Sequence, residues 1–349
     1  MPKVLVTGSA GFIGHHVVKL LSLEGYDILG LDSLNEYYDV ELKYGRLRDQ
    51  GFDVDSIEYD QEITASSGHR FVRLDLADQQ KVLYLFQKEQ FDFVVNLAAQ
   101  AGVRYSLEEP FAYVSSNLNG FMNILEGCRK IKLKHLVFAS SSSVYGLNEN
   151  IPFKESHVTD HPISLYAATK KSNELLAHSY AHLYGFPVTG LRFFTVYGPW
   201  GRPDMAIFLF TKAIMNEKPI KVFNQGNMER DFTYVEDVAK GVLESITQKA
   251  TPSEEFAGDN PQSSISTAPF RIYNIGNSQP VKLLTFIEAI EQAIGKKAIK
   301  EFLPLQAGDV VTTFADTSEL NKAIGYKPST PLKEGVKKFV DWYRAYYNE

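Results

Sequence analysis

Gly8, Gly11 and Gly14 stand at a junction between two kinds of periodicity. Before them Val4-Leu5-Val6 is a short apolar run; after them Phe12, Ile13, Val17, Leu20 and Leu21 recur at helical spacing. A strand that turns through glycines into a helix opens a β-α-β unit, and the alternation recurs along the chain. Residues 28–31, 71–74, 93–97, 136–139 and 188–192 have the length and apolarity of buried strands, and 79–88, 114–131 and 166–184 carry helical patterns. Strands that are apolar on both faces need helices on both sides, which predicts an α/β fold on a doubly wound parallel sheet.

Beyond residue 195 the rhythm breaks. Segments 204–217, 235–247, 284–294 and 333–347 read as helices separated by stretches rich in Gly, Pro and Asn, so a smaller, partly interleaved α/β C-terminal domain is expected. The division predicted is 1–194 for the first domain, with a segment near 230–248 returning to it, and 195–349 for the second. Residues 251–268 are polar, rich in Ser and Pro and without period, which reads as a mobile surface loop.

Glycines at a strand-to-helix turn let the backbone fold tightly and approach a ligand closely, and the helix N-terminus offers unpaired N–H groups to negative charge. This is the chemistry of a pyrophosphate site and marks a dinucleotide-binding Rossmann domain, here with Gly-x-x-Gly-x-x-Gly spacing rather than Gly-x-Gly-x-x-Gly. Asp32 closes the second strand, where a carboxylate accepts from a ribose diol and repels a 2′-phosphate; NAD is therefore expected rather than NADP. Asp75, after the third apolar run, is placed to hold the adenine edge. An acid at a strand end also serves as an ordinary turn residue, so Asp32 draws its meaning from the glycine loop before it.

A chain of 349 residues with 44% hydrophobic content can bury a large core. Net charge is −6 with both signs mixed along the chain, and no basic stripe is present to neutralise a phosphate backbone, so nucleic acid is not an expected partner. Met1-Pro2-Lys3 leads into the first strand with no signal-peptide core, and no apolar run approaches 18 residues; a cytoplasmic protein without a membrane partner is expected. The single cysteine, Cys128, fits a buried thiol in a reducing compartment. No metal is expected.

Tyr166 and Lys170 lie at i and i+4, on one helix face. A phenol is a poor base at neutral pH, and a neighbouring ammonium is expected to lower its pKa. Such a pair often marks only a solvated helix face; here it follows the fifth strand and the run Ser140-Ser141-Ser142-Ser143, at the strand ends where α/β sheets bind ligands.

Taken in order, the glycine loop, Asp32, Asn96-Leu97-Ala98-Ala99, Asn117-x-x-Gly120, the serine run and Tyr166/Lys170 resemble the extended short-chain dehydrogenase/reductases across nearly the whole chain. Within that family, local patterns are similar to UDP-glucuronate 4-epimerases: Asp32-Ser-Leu-Asn35-x-Tyr-Tyr-Asp39, Ala98 through Ser106, Arg192-Phe-Phe-Thr195-Val-Tyr-Gly198, Gly201-Arg-Pro-Asp-Met-Ala206 and Arg230-Asp-Phe-Thr-Tyr-Val235. The resemblance implies a catalytic group of Tyr166, Lys170 and Ser141, with Ser142 and Ser143 as possible assistants. It implies a tightly bound, recycled NAD held by Gly8, Gly11, Phe12, Ile13, Gly14, Asp32, Asn35, Asp75, Leu76, Ala98, Ala99, Gln100, Asn117, Tyr166, Lys170 and Phe193.

The implied reaction removes hydride from carbon 4 of a UDP-sugar and returns it to the other face. With glucuronate the 4-keto intermediate is a β-keto acid that loses carbon dioxide if its carboxylate aligns with the ketone. Arg202, assisted by Thr195, is expected to hold that carboxylate by a bidentate guanidinium, although arginines in Gly/Pro loops are also ordinary surface residues. The resemblance further assigns Ala206, Val222, Asn224, Arg230 and Asp309 to the UDP-sugar, with Gln306 standing where many members have a second arginine. It also implies a homodimer paired through helices near 114–131 and 166–184. UDP-glucuronate decarboxylation and 4-epimerisation of UDP-glucose or UDP-N-acetylglucosamine stay open, as does an inactive NAD-binding regulatory protein. A 4,6-dehydratase would need an acid pair where Ser142-Ser143 stands.

Overall fold

The computed structural model describes residues 1–305 and 311–348. Seven strands precede residue 194: β1 (Lys3–Thr7), β2 (Asp27–Asp32), β3 (Glu62–Thr64), β4 (Arg70–Arg73), β5 (Phe93–Asn96), β6 (His135–Ser141) and β7 (Val188–Phe193). The chain continues through β8 (Thr195–Tyr197), β9 (Ile220–Val222) and β10 (Glu229–Tyr234) before β11 (Phe270–Ile275). The main sheet has eight strands in the order β11-β7-β6-β5-β1-β2-β4-β3, all parallel except the β3–β4 pair. Strand order reverses between β1 and β5, so the chain diverges there and opens a crevice at the strand ends.

Two apolar layers cover this sheet. Helices Gln79–Glu89, Gly120–Arg129 and Leu165–Tyr184 pack one face around Phe86, Phe121 and Phe138. Helices Phe12–Leu23 and Val235–Thr247 cover the other, around Val17, Val238 and Val242. The near-continuous burial of β2 and β7 is the consequence of being covered on both sides. A third core joins helices Ala206–Met215, Leu283–Ile294 and Leu332–Tyr347 to β9 and β10, around Phe208, Phe286 and Phe339. Three short strands, β12 (Pro280–Lys282), β13 (Lys300–Phe302) and β14 (Thr312–Thr313), complete this part; β12 and β14 flank β10, and β13 pairs with β9.

The differences from the sequence reading have local causes. The helix expected over 114–131 begins earlier, at Pro110, and runs to Arg129 through a wide π turn over Val114–Asn119. Residues 251–268 form neither helix nor strand, yet Ser264, Ser266 and Ala268 are buried against the edge strand β11, where the Ser264 carbonyl accepts from the Ile272 N–H at 2.9 Å. Strand β11 and helix Val40–Asp49 had no clear periodic signal. In the helix Leu42 and Leu47 are buried, but so are Lys43, Gly45 and Arg46, which no apolar count detects. No helix among the described residues is long and apolar enough to cross a membrane.

Glu155 is buried and accepts the Asn274 N–H of β11 at 2.8 Å. Burial pushes its carboxyl up to about 7, against the hydrogen bond from Asn274. The folded state therefore keeps a proton that the unfolded chain releases near pH 4.5, so this group's contribution falls as pH rises through the interval up to about 7. Urea unfolding of wild type and Glu155→Gln is expected to show wild type losing stability relative to the variant over that interval, by on the order of 3 kcal/mol. A difference independent of pH would refute the assignment.

Candidate active site

Gly8 leaves β1 with φ of +71°, a conformation that favours glycine, and its N–H donates to the Leu31 carbonyl at 2.7 Å. A Cβ on Gly8 would meet the Ala98 nitrogen at 2.8 Å; one on Gly11 would lie 2.9 Å from the Gly8 carbonyl oxygen, and one on Gly14 would collide with that same oxygen. The turn thus closes on itself and seats helix Phe12–Leu23 against the crevice. No side chain among the described residues caps the first turn of that helix, so its N–H groups face the cavity. Asp32 closes β2, buried, with Oδ1 accepting from the Leu34 N–H at 2.9 Å. An uncapped helix start over a glycine cradle, with a carboxylate at the next strand end, fits a dinucleotide.

On the other side of the crevice Ser164 caps helix Leu165–Tyr184 by accepting the Ala167 N–H at 3.1 Å. The first turn presents Tyr166, which lines the cavity together with Ser141 at the end of β6, near enough for Ser141 to favour its phenolate. Lys170, one turn on, donates to the Ala139 carbonyl at 2.9 Å. Burial pushes the Tyr166 phenol up, with Ser141 and the positive charge of Arg202 pulling the other way, and burial pushes Lys170 down to about 8. The expected lowering of the phenol by the lysine is therefore not seen. Lys170 gives one of its three N–H groups to a backbone carbonyl, and burial outweighs the groups that favour phenolate.

One cavity of about 260 Å³ joins these elements. Its wall brings together Gly8, Gly11, Phe12, Ile13, Gly14, Asp32, Asn35, Asp75, Leu76, Ala98, Ala99, Gln100, Phe193, Ser141, Tyr166, Lys170 and Arg202. Asn117 stands behind the wall: Oδ1 accepts the Gln100 N–H at 2.8 Å, and Nδ2 donates to the Gln100 carbonyl and to Thr169 on the Tyr166 helix. Asn117 lies within the π turn.

Ser142 and Ser143 fall in the turn after β6, away from the cavity wall, and the Ser143 N–H donates to Ser141 Oγ at 3.2 Å. Thr195 and Ala206 are half-buried beside the wall; Val222 is fully buried in the third core. Asn224 has a φ of +49° and donates to the Asn227 carbonyl, and Arg230 Nη1 donates to the carbonyls of Glu229 and Val311. Asp309 and Gln306 lie outside the described residues. The wall also contains Tyr37, Lys43, Ser140 and Met205, which spacing did not single out. Lys43 is buried and donates to Asn35 Oδ1 at 2.7 Å, 3.9 Å from Asp32; the available signal was its place one turn after the N-cap Asp39.

Residues 4–276 match the NAD dependent epimerase/dehydratase family. The chain belongs to that family. It is 51% identical over 347 residues to Protein CapI of Staphylococcus aureus, covering 99% of this chain and 100% of that one. It is 47% identical over 348 residues to a Rhizobium meliloti protein named "Probable UDP-glucuronate 4-epimerase", covering 99% and 98%. Among solved structures, UDP-glucuronic acid 4-epimerase from Bacillus cereus in complex with UDP-glucuronic acid and NAD superposes with a TM-score of 0.83 at 32% identity, over 99% of this chain and 100% of that one.

For a family member whose glycine turn is this tightly closed, Gly14→Ala is expected to lose at least about 2 kcal/mol of stability and its bound dinucleotide, because the colliding atom is backbone. Gly258→Ala, where an added Cβ meets nothing, is expected to leave both unchanged. Denaturant unfolding and the absorbance ratio of the purified protein measure the two effects; equal behaviour of the variants would contradict the geometry.

Proposed function

We propose that this chain interconverts UDP-glucuronate and UDP-galacturonate by NAD-dependent 4-epimerisation. The carrying observation is that Tyr166, Ser141, the glycine cradle and Arg202 all open into one cavity. An acid-base group and a carboxylate-binding group then reach the same sugar ring. NAD, when bound, supplies a reversible acceptor for the hydride of carbon 4. Tyr166 takes the proton of the 4-hydroxyl and returns it, with Ser141 donating to the developing phenolate. Lys170, held on Ala139, keeps a positive charge beside the strand end and lines the cavity. Arg202 holds the sugar carboxylate so that its bond to carbon 5 stays out of line with the ketone.

The Bacillus cereus structure, whose title names UDP-glucuronic acid and NAD, supports this reading, as does the Rhizobium relative's name. We assign the remaining contacts by the same likeness: Asn35, Asp75, Gln100, Asn117 and Phe193 to the cofactor, and Thr195, Ala206, Val222, Asn224, Arg230 and Asp309 to the UDP-sugar. The NAD part is taken as 1–194 with 230–248, to which the main sheet adds β11 (Phe270–Ile275), and the sugar part as the rest of 195–349. A cytoplasmic homodimer serving polysaccharide synthesis completes the proposal; only its pairing draws support from the structure's surface, through exposed Leu175 and Leu183 on helix Leu165–Tyr184.

Proton NMR of the purified protein with UDP-glucuronate is expected to show UDP-galacturonate as the product, with pentose as a trace. Tyr166→Phe is expected to lower the rate by about 10³-fold while bound NAD, read after acid release, is retained. Formation of UDP-xylose would mark a decarboxylase, and turnover of UDP-glucose alone a neutral-sugar epimerase; either would overturn the assignment.

A further inference from the structure

Arg202 does not enter the cavity as a lone cation. Its Nε donates to Asp204 Oδ1 at 3.0 Å and its Nη2 to Asp204 Oδ2 at 2.6 Å, a two-pronged bond across the intervening Pro203. The Tyr37 hydroxyl donates to the same Asp204 Oδ2 at 3.2 Å. Tyr37 belongs to the loop after β2, on the dinucleotide side, where its ring lies 4.7 Å from that of Tyr105. Two distant loops therefore meet on one carboxylate.

A guanidinium has two edges that can fork onto a carboxylate, one made of Nε and Nη2 and the other of Nη1 and Nη2. Asp204 takes the first. Nη1 has no hydrogen-bond partner among the described residues, and Arg202 lines the cavity with Tyr37, Ser141, Tyr166 and Met205. The stem of this loop is fixed too. Arg46, fully buried, donates to the Trp200 carbonyl at 3.1 and 2.8 Å and to the Ala10 carbonyl of the glycine turn at 2.9 Å.

We propose that Asp204 and Tyr37 are positioning residues that clamp one edge of Arg202, present the other to the sugar carboxylate, and thereby keep the 4-keto intermediate from losing carbon dioxide. The proposal rests on UDP-glucuronate being the substrate. In the reaction the clamp suppresses, the bond between carbon 5 and carbon 6 breaks and its electron pair forms the double bond of a 4,5-enolate. Carbon dioxide leaves, and a proton from water is then taken up at carbon 5 to give a 4-keto pentose. No oxidant or reductant enters that step. It requires the breaking bond to stand perpendicular to the plane of the ketone, and a carboxylate gripped by a guanidinium of fixed direction does not reach that alignment. If Arg202 swings, the bond can.

The test uses the intact protein with UDP-glucuronate and reads the ratio of decarboxylated pentose product to UDP-galacturonate by NMR, together with equilibrium binding of UDP-glucuronate and UDP-glucose. Asp204→Asn replaces one prong by an amide N–H that faces guanidinium N–H groups. It is expected to raise the pentose ratio at least about tenfold, since small displacements of a positioning group carry large rate effects. It is also expected to erase much of the binding preference for UDP-glucuronate. Tyr37→Phe, which removes one hydroxyl, is expected to raise the ratio about threefold, and to add nothing in the Asp204→Asn background because it acts through that carboxylate. If Asp204→Asn fails to fold, Tyr37→Phe carries the test alone. Unchanged product ratios and binding preference in the folded variants overturn the proposal while leaving the epimerase reading intact. A wild type that does not turn over UDP-glucuronate refutes that reading, and the proposal with it.

Discussion

A buried ion pair, Glu174 with Arg192, ties the helix that carries Tyr166 and Lys170 to the sheet end it faces. The pair is bidentate at 2.8 and 2.9 Å, with both side chains almost wholly out of solvent. Two charges are taken out of water only when their remaining polar atoms are satisfied, and here they are: Ser140 donates to Glu174 at 2.6 Å, and Arg192 donates to Tyr145, which donates to Asn274 of β11. Removing either partner would leave an unpaired buried charge, a loss of several kcal/mol. The interaction thus sets the register of the helix on β6 and β7. With the register set, Lys170 reaches Ala139, and Tyr166 reaches Ser141.

A second buried cation links the two halves of the cavity. Arg46 joins the glycine turn to the Trp200 loop, and Trp200 in turn packs on Trp342 and Tyr346 of the C-terminal helix. Gly45 beside it is a close-approach glycine: a Cβ there would press on Tyr346 and Trp200 within 3 Å. The wall that carries Arg202 is therefore referenced to the wall that carries the dinucleotide cradle. This arrangement makes chemistry on a sugar possible, because a reacting carbon must be placed relative to both walls at once.

The parts of the site that were legible in the sequence are those whose meaning is local. Gly8, Gly11 and Gly14 declare a turn because no side chain fits there, and Asp32 is located by counting to the end of the next strand. Tyr166 and Lys170 share a face by helical periodicity alone. Lys43 was not legible, and Tyr37 and Asp204 stood inside recognised motifs without a role, since the bond from Tyr37 to Asp204 joins two different loops. Asn117 could be picked out but not understood: its side chain works as a clip between Gln100 and Thr169, and only the packed structure reveals this. The serine run shows the same limit. Four similar residues differ because β6 ends at Ser141, which leaves Ser140 turned to Glu174, Ser141 to Tyr166, and the next two in a turn.

By itself the sequence determined the class of fold, the direction of its strands, the dinucleotide cradle and the tyrosine-lysine pair, because hydrophobic period and glycine sterics act over a few residues. The tertiary structure alone decided which charges face one another. The Arg202 edge left open, the lysine held on a carbonyl, the phenol raised by burial and the edge strand β11 recruited from beyond residue 195 all depend on residues far apart in the chain. Electrostatics and burial are sums over neighbours in space, and neighbours in space exist only after the chain has packed.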